Sequence, residues 1–307
     1  MNNEVKIDSY SSVSYGWSPS HITGFFYPCG CGEPLLCSSL GAGVNLSKGV
    51  KTKVESYDSD FDKYEIFING KKKSASVSEF VVKKFLDLKV KHTYKLCIYH
   101  YIDLPVGAGF GTSGAGALSL SLALRRLLKV DIDDIECYRI AHCAEVENKT
   151  GLGTVMAEIG GGIEVRIECG GPGIGKVENI FFDNREKVIV LFLGEYSTPR
   201  ALSDKTLLEK VTKYGKECLE DITKSPSVEN FMELSRWFIY KTGIVEEKIK
   251  TIIDSMDRKG VICSMPLFGK SVFCIDSRID FVLHSLKEYG KVIISDISNK
   301  GVEERKR

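Results

Sequence analysis

The stretch Gly107–Ala117, GAGFGTSGAGA, sets five glycines and two hydroxyl residues between an apolar run, KLCIYHYIDL, and a leucine-rich one, SLSLALRRLL. A glycine inside a helix costs about 1 kcal/mol against alanine, so this density implies a close approach to the backbone. A P-loop needs a lysine followed by Ser or Thr after its last glycine, and no lysine occurs between Lys95 and Lys129. Gly109, Gly111 and Gly114 satisfy the dinucleotide spacing G-x-G-x-x-G, yet Asp131 and Asp133 fall between two helical patterns rather than at the end of a second strand. A tight turn for helix–sheet packing accounts for Gly114 and Gly116. It leaves Thr112 and Ser113 unexplained at a helix start, where free amides and the positive dipole end favour an anion. Ser113 as a simple N-cap stays open. The glycines ahead of it favour phosphate held by bare amides.

Working outward, the first ninety residues read as short β-like runs separated by Gly and Ser turns, followed by a helix at SVSEFVVKKFLDL and a strand at KLCIYHYIDL. The leucine-rich run is apolar nearly all round and therefore a buried helix. A second helix follows over residues 131–149, with Asp131 or Asp133 as N-cap. TGLGTVMAEIGGGIEVRI is dense in glycine and ends in a strand, and VIVLFLG is a buried strand. Beyond residue 190 glycine thins out: a mostly helical stretch runs to Arg258, then strand, helix and strand close the chain. Two domains with a ligand cleft between them are expected.

Bulk properties narrow the function. The 307 residues exceed one small core, and a formal net charge of +1 argues against a nucleic-acid binder. No apolar run reaches the ~18 residues that span a bilayer, and the N-terminus lacks a signal-peptide core. The ten cysteines are scattered, so reduced thiols in a cytoplasmic protein are expected. Cys29, Cys31 and Cys37, with His21 nearby, lack the paired spacing of a zinc site. A homodimer is compatible with the sequence, which specifies no oligomeric state.

PVGAGFGTSGAGAL resembles the second conserved motif of the GHMP kinases (galacto-, homoserine, mevalonate and phosphomevalonate kinases), usually Pro-x-Gly-x-Gly-Leu-Gly-Ser-Ser-Ala. PSHITGFF, GAGV at 41–44, AHCAEVENKTGLGTVMAEIGGG, GPGIGKV and STPRALSD resemble an archaeal branch of that superfamily, the pantoate kinases. The matching segments extend over residues 19–204, with a weaker match beyond. The resemblance implies an α+β protein of two domains: an N-terminal α/β ATP-binding domain on a mixed sheet, residues 1–187, and a ferredoxin-like α+β domain, residues 188–307. It implies ATP as donor, Mg²⁺, and pantoate as a small-molecule acceptor, with no membrane or nucleic-acid partner.

Under that resemblance Pro105, Gly107, Gly109, Gly111, Thr112, Ser113, Gly114 and Gly116 cradle the ATP phosphates. Ser113 and Glu145 are the expected metal ligands, since magnesium takes only one or two protein carboxylates. The plainer reading of Glu145 is a solvated pair with Lys149, and Glu147 is the fallback ligand. His142, three residues before Glu145, is either a packing residue or a substrate contact. Arg166 can grip a carboxylate in bidentate fashion or simply face solvent. His21, Arg200 and Asp204 enter as substrate-pocket residues through the resemblance. The sequence departs from the superfamily twice. Where many members carry an Asp base, it has Thr154, so that Thr154 orients the hydroxyl, a phosphate oxygen takes the proton, or Glu145 or Glu158 assists. Its third glycine motif shrinks to Gly269 in SMPLFGKSVF.

Overall fold

The computed structural model describes residues 10–30, 32–90, 92–194, 205–267 and 269–302. Its spine is an antiparallel pair of long strands, β1 (Tyr10–Cys29) and β2 (Ser38–Asp58). These replace the short runs expected over this region. Bulges at Pro19/Ser20 and Thr23/Phe25 bend β1 without ending it, which is why turn-forming residues occur inside a strand. The other edge of β2 is shared. β5 (Tyr94–Ile102) pairs with residues 50–58, and β6 (Ile163–Glu168) with residues 41–44. β3 (Lys63–Ile68) lies parallel to β5, connected through α1 (Ser76–Leu88). β4 (Lys71–Lys72) and β7 (Lys176–Ile180) complete a mixed seven-stranded sheet.

The glycine loop leads into α2 (Thr112–Leu128), which packs on β1 so closely that a Cβ on Gly16 would lie 2.0 Å from the Ser119 carbonyl oxygen. After it comes α3 (Asp134–Glu147), capped by Asp133, whose side chain accepts from the Glu136 amide. A seven-residue helix, α4 (Thr154–Gly160), follows within the glycine-dense segment. Val81, Phe85, Leu118 and Leu120 are among the residues closing the core beneath α1, α2 and α3.

In the second half, β8 (Lys187–Gly194), β9 (Lys270–Asp276) and β10 (Lys291–Asp296) form an antiparallel sheet of order β10-β8-β9 among the described residues. Helices α5 (Lys205–Lys224), α6 (Val228–Thr242), α7 (Glu247–Asp257) and α8 (Ile279–Leu286) accompany it. α5 and α6 also pack on β1, where Phe25 meets Phe231 and Phe238 at ring separations of 6.4 and 6.5 Å. The mixed α+β class expected from the sequence is the one found. No described helix is long and apolar enough to cross a membrane.

The expectation of reduced thiols is corrected at one place. Cys29 and Cys169 form a disulfide across 140 residues, because β1 and β6 flank the same end of β2 and their last residues converge. Cys97, Cys137, Cys218, Cys263 and Cys274 are buried free thiols. No cluster of His, Cys, Asp and Glu among the described residues could hold a metal on its own.

Candidate active site

The loop turns on three glycines with left-handed backbone, Gly107 (φ 76°), Gly109 (φ 84°) and Gly111 (φ 62°), a conformation that strains any L residue. Gly111 caps α2 with no side-chain hydrogen bond, so the first amides of the helix point outward uncapped. A Cβ on Gly111 would lie 2.8 Å from Thr154 Cγ2 and 3.0 Å from Glu158 Oε1. Gly269 packs on the same loop, since a Cβ there would come within 2.2 Å of the Ala108 carbonyl oxygen. The reduced third motif thus buttresses the loop.

Ser113 is not the N-cap. Its hydroxyl donates to Glu145 Oε1 at 2.6 Å, and Thr150 Oγ1 donates to the same oxygen at 2.7 Å. Glu145 is buried, not paired with Lys149 in solvent. Burial raises its pKa, opposed by these two hydroxyls. Its Oε2 makes no hydrogen bond among the described residues and lies over Gly151, near Thr154 Oγ1. Glu158, four residues along α4 from Thr154, is fully buried with both oxygens unpartnered. Burial and then the charge of Glu145 push its carboxyl well above the usual range. The nearby Ala115 amide opposes this only in part, being bonded to the Gly111 carbonyl.

Across the cleft lies a buried charged cluster. His21 Nε2 is 3.0 Å from Glu164 Oε1, and Arg166 Nη1 pairs with that same oxygen. Arg166 Nε donates to the Ser39 carbonyl at 3.0 Å, and Nη2 has no partner among the described residues. Glu164 and Arg166 sit two apart on β6 and therefore share a face. An open cleft of roughly 110 Å³ borders the glycine loop and the charged cluster. Its walls include His21, Thr23, Ser39, Gly111, Thr154 and Arg166, with Phe26, Leu152 and Leu267 supplying apolar surface. Apart from Leu267, the lining comes from the first 187 residues, so the cleft is cut largely into the first half.

Two expected site residues lie elsewhere. His142 Nε2 is within 3.1 Å of the Pro34 carbonyl and 2.9 Å of that of Cys37, so its ring clamps the short 3-10 turn Pro34–Leu36 to α3. Gly116 is one turn into α2 and faces His100, away from the loop mouth. Arg200 and Asp204 lie outside the described residues. The sequence reading overlooked Glu164, Thr23, Ser39 and Thr150. Of these, only Glu164 left a signal, an acid two residues before Arg166 on the same strand.

Residues 77–162, which include the loop, Glu145 and Thr154, match the GHMP kinases N terminal domain. The chain is 36% identical to a pantoate kinase of Thermococcus kodakarensis, covering 91% of each chain. It is 32% identical to one of Methanocaldococcus jannaschii, covering 85% of this chain and 92% of that one. It belongs to the pantoate kinase family. A solved phosphotransferase related to the CoA biosynthesis pathway superposes with a TM-score of 0.86 at 32% identity, over 95% of this kinase and 98% of that chain. A homoserine kinase from Cytophaga hutchinsonii shares the fold, with a TM-score of 0.67 at 11% identity over 99% of both chains. The kinase is thus an ATP-dependent small-molecule phosphotransferase, and its glycine loop lies inside the matched segment.

Proposed function

We propose that the kinase transfers the γ-phosphoryl group of ATP to the primary hydroxyl of (R)-pantoate, giving 4-phosphopantoate for archaeal coenzyme A synthesis in the cytoplasm. The observation that carries this reading is the buried Arg166, its Nη2 open to the same cleft as the glycine loop, as a carboxylate-bearing acceptor requires. Phosphoryl transfer asks the protein mainly for positioning and charge stabilisation. The uncapped amides of α2 and the bare loop receive the phosphates. Arg166 and His21 anchor the acceptor's acid group, and Thr154 orients its hydroxyl.

Ser113 and Glu145 suit Mg²⁺: a carboxylate with one unengaged oxygen beside a hydroxyl, both hard oxygen donors. When bound, the metal neutralises charge on the transferring phosphoryl group. With Thr154 at the place of the usual Asp, the hydroxyl proton leaves to a phosphate oxygen. We further take residues 1–187 as the ATP-binding domain and 188–307 as the second domain.

The deciding measurement is coupled ADP release with pantoate, mevalonate, homoserine and shikimate, each with ATP and Mg²⁺. Turnover is expected with pantoate. Turnover with another of the four but not with pantoate refutes the assignment.

A further inference from the structure

Among the described residues, the acid-binding side of the cleft carries little spare positive charge. Of these, Arg166 is the cation that lines it, and its Nη1 already pairs with Glu164. His21 shares that Glu164 oxygen at 3.0 Å, and the three side chains are 1%, 0% and 2% exposed for His21, Glu164 and Arg166. With the His21 ring neutral, Arg166 and Glu164 cancel and the cluster has no net charge. A carboxylate placed on Arg166 Nη2 would then bury an uncompensated negative charge. Such a burial is costly, and a neighbouring titratable group changes its protonation instead.

Among the described residues, the surroundings leave the His21 ring as that group. β6 presents Glu164 and Arg166 to the ring; β2 presents Gly43, and the loop presents Gly111 and the Phe110 carbonyl, which accepts the His21 amide. From α4 the nearest charge-bearing group is Glu158, across Gly111. Burial lowers the His21 pKa, with Glu164 opposing and Arg166 adding to the effect, so the ring is neutral at pH 7 before substrate arrives. A second anion beside it reverses that balance.

We infer that the His21 ring, held against Glu164, takes up one proton when the acceptor's carboxylate binds Arg166, so that a hydroxy acid enters this site together with a proton. The inference rests on the acceptor assignment above and adds the charge state of the site. Over the pH range where the ring is neutral alone and protonated in the complex, affinity falls by up to about tenfold per pH unit.

The test is calorimetric titration of pantoate into the full-length protein with ADP and Mg²⁺, at pH 7.5, in phosphate, HEPES and Tris. Their ionisation enthalpies differ, so the slope of the observed heat gives protons taken up per pantoate. A slope of about one proton is expected for the native chain, by the same linkage. It should vanish in His21→Asn, and in Glu164→Gln should the first variant fail to fold. A slope near zero for native protein that binds pantoate overturns the inference, as does unchanged uptake in His21→Asn. Absence of pantoate binding instead removes the acceptor assignment, and the inference with it.

Discussion

Ser113 and Glu145 illustrate how much one hydrogen bond can decide. A serine at a helix start is most often a cap, yet here glycine caps α2 and the serine hydroxyl reaches 32 residues along the chain to a buried carboxylate. Ser113→Ala and Glu145→Ala are each expected to lower turnover at least about tenfold, since both would remove a proposed oxygen ligand of Mg²⁺. Steady-state ADP release checks this, and unchanged turnover in either variant removes that residue from the site. The glycines separate by the same logic. Gly111→Ala places a side chain in left-handed backbone against Thr154 and is expected to abolish ATP-dependent turnover. Gly116→Ala meets nothing nearer than His100 at 3.9 Å. It should keep turnover and raise the free energy of unfolding, read from urea titration, by about 0.5–1 kcal/mol through helix propensity.

Among the elements, α2 is held from behind by a buried polar chain. His100 Nδ1 on β5 lies 2.8 Å from Thr52 Oγ1 on β2, which lies 2.6 Å from Ser119 Oγ on α2, while His100 Nε2 lies 3.1 Å from Ser78 Oγ on α1. Burial lowers the His100 pKa to about 4. The unfolded chain binds this proton at higher pH than the folded one. The contribution to stability is therefore present above about pH 6.5 and is lost as pH falls towards 4, on the order of 3 kcal/mol in all. Buried Glu145 and Glu158 are shifted upward and act in the opposite sense. The measurement is accordingly the difference in urea stability between native protein and His100→Gln at pH 7 and pH 4.5. The native advantage should shrink at the lower pH.

The helices α1, α2 and α3 were legible because each is long enough for a 3.6-residue pattern or carries a cap such as Asp133. α4 was not, since seven residues bounded by glycines show no period. β1 was hidden by the contacts it makes. Its residues 16–22 are all buried, so it does not alternate, and Gly16 is there to admit the Ser119 backbone. The glycine-loop side of the site could be read from one contiguous stretch. The Arg166 side could be read only in part, because Ser39 and Glu164 meet Arg166 and His21 across neighbouring strands of the sheet.

For the whole molecule, the apolar core is continuous from Ile22 and Phe25 of β1 through Phe231 and Phe273 to the second sheet, so the two halves share one interior. The Cys29–Cys169 disulfide adds a covalent tie across 140 residues. Closing a loop of that size removes unfolded-state entropy worth ~5 kcal/mol in the chain-entropy model. Cys29→Ser is expected to lower the urea midpoint of oxidised protein towards that of native protein kept in reductant. The two midpoints should coincide once reductant is present in both. A variant as stable as the oxidised native chain would count against the tie.

The short helix α4 also sets a distance. Gly153 abuts Arg166, since a Cβ there would lie 2.9 Å from Nε, while Thr154 abuts Gly111 of the loop. One peptide unit therefore spaces the proposed anchor of the acid from the proposed seat of the phosphate, like a caliper with its jaws on adjacent residues. Acceptors would then be measured by the reach from carboxylate to hydroxyl. An otherwise similar acid one methylene longer would fit both jaws poorly, binding without placing its hydroxyl in line.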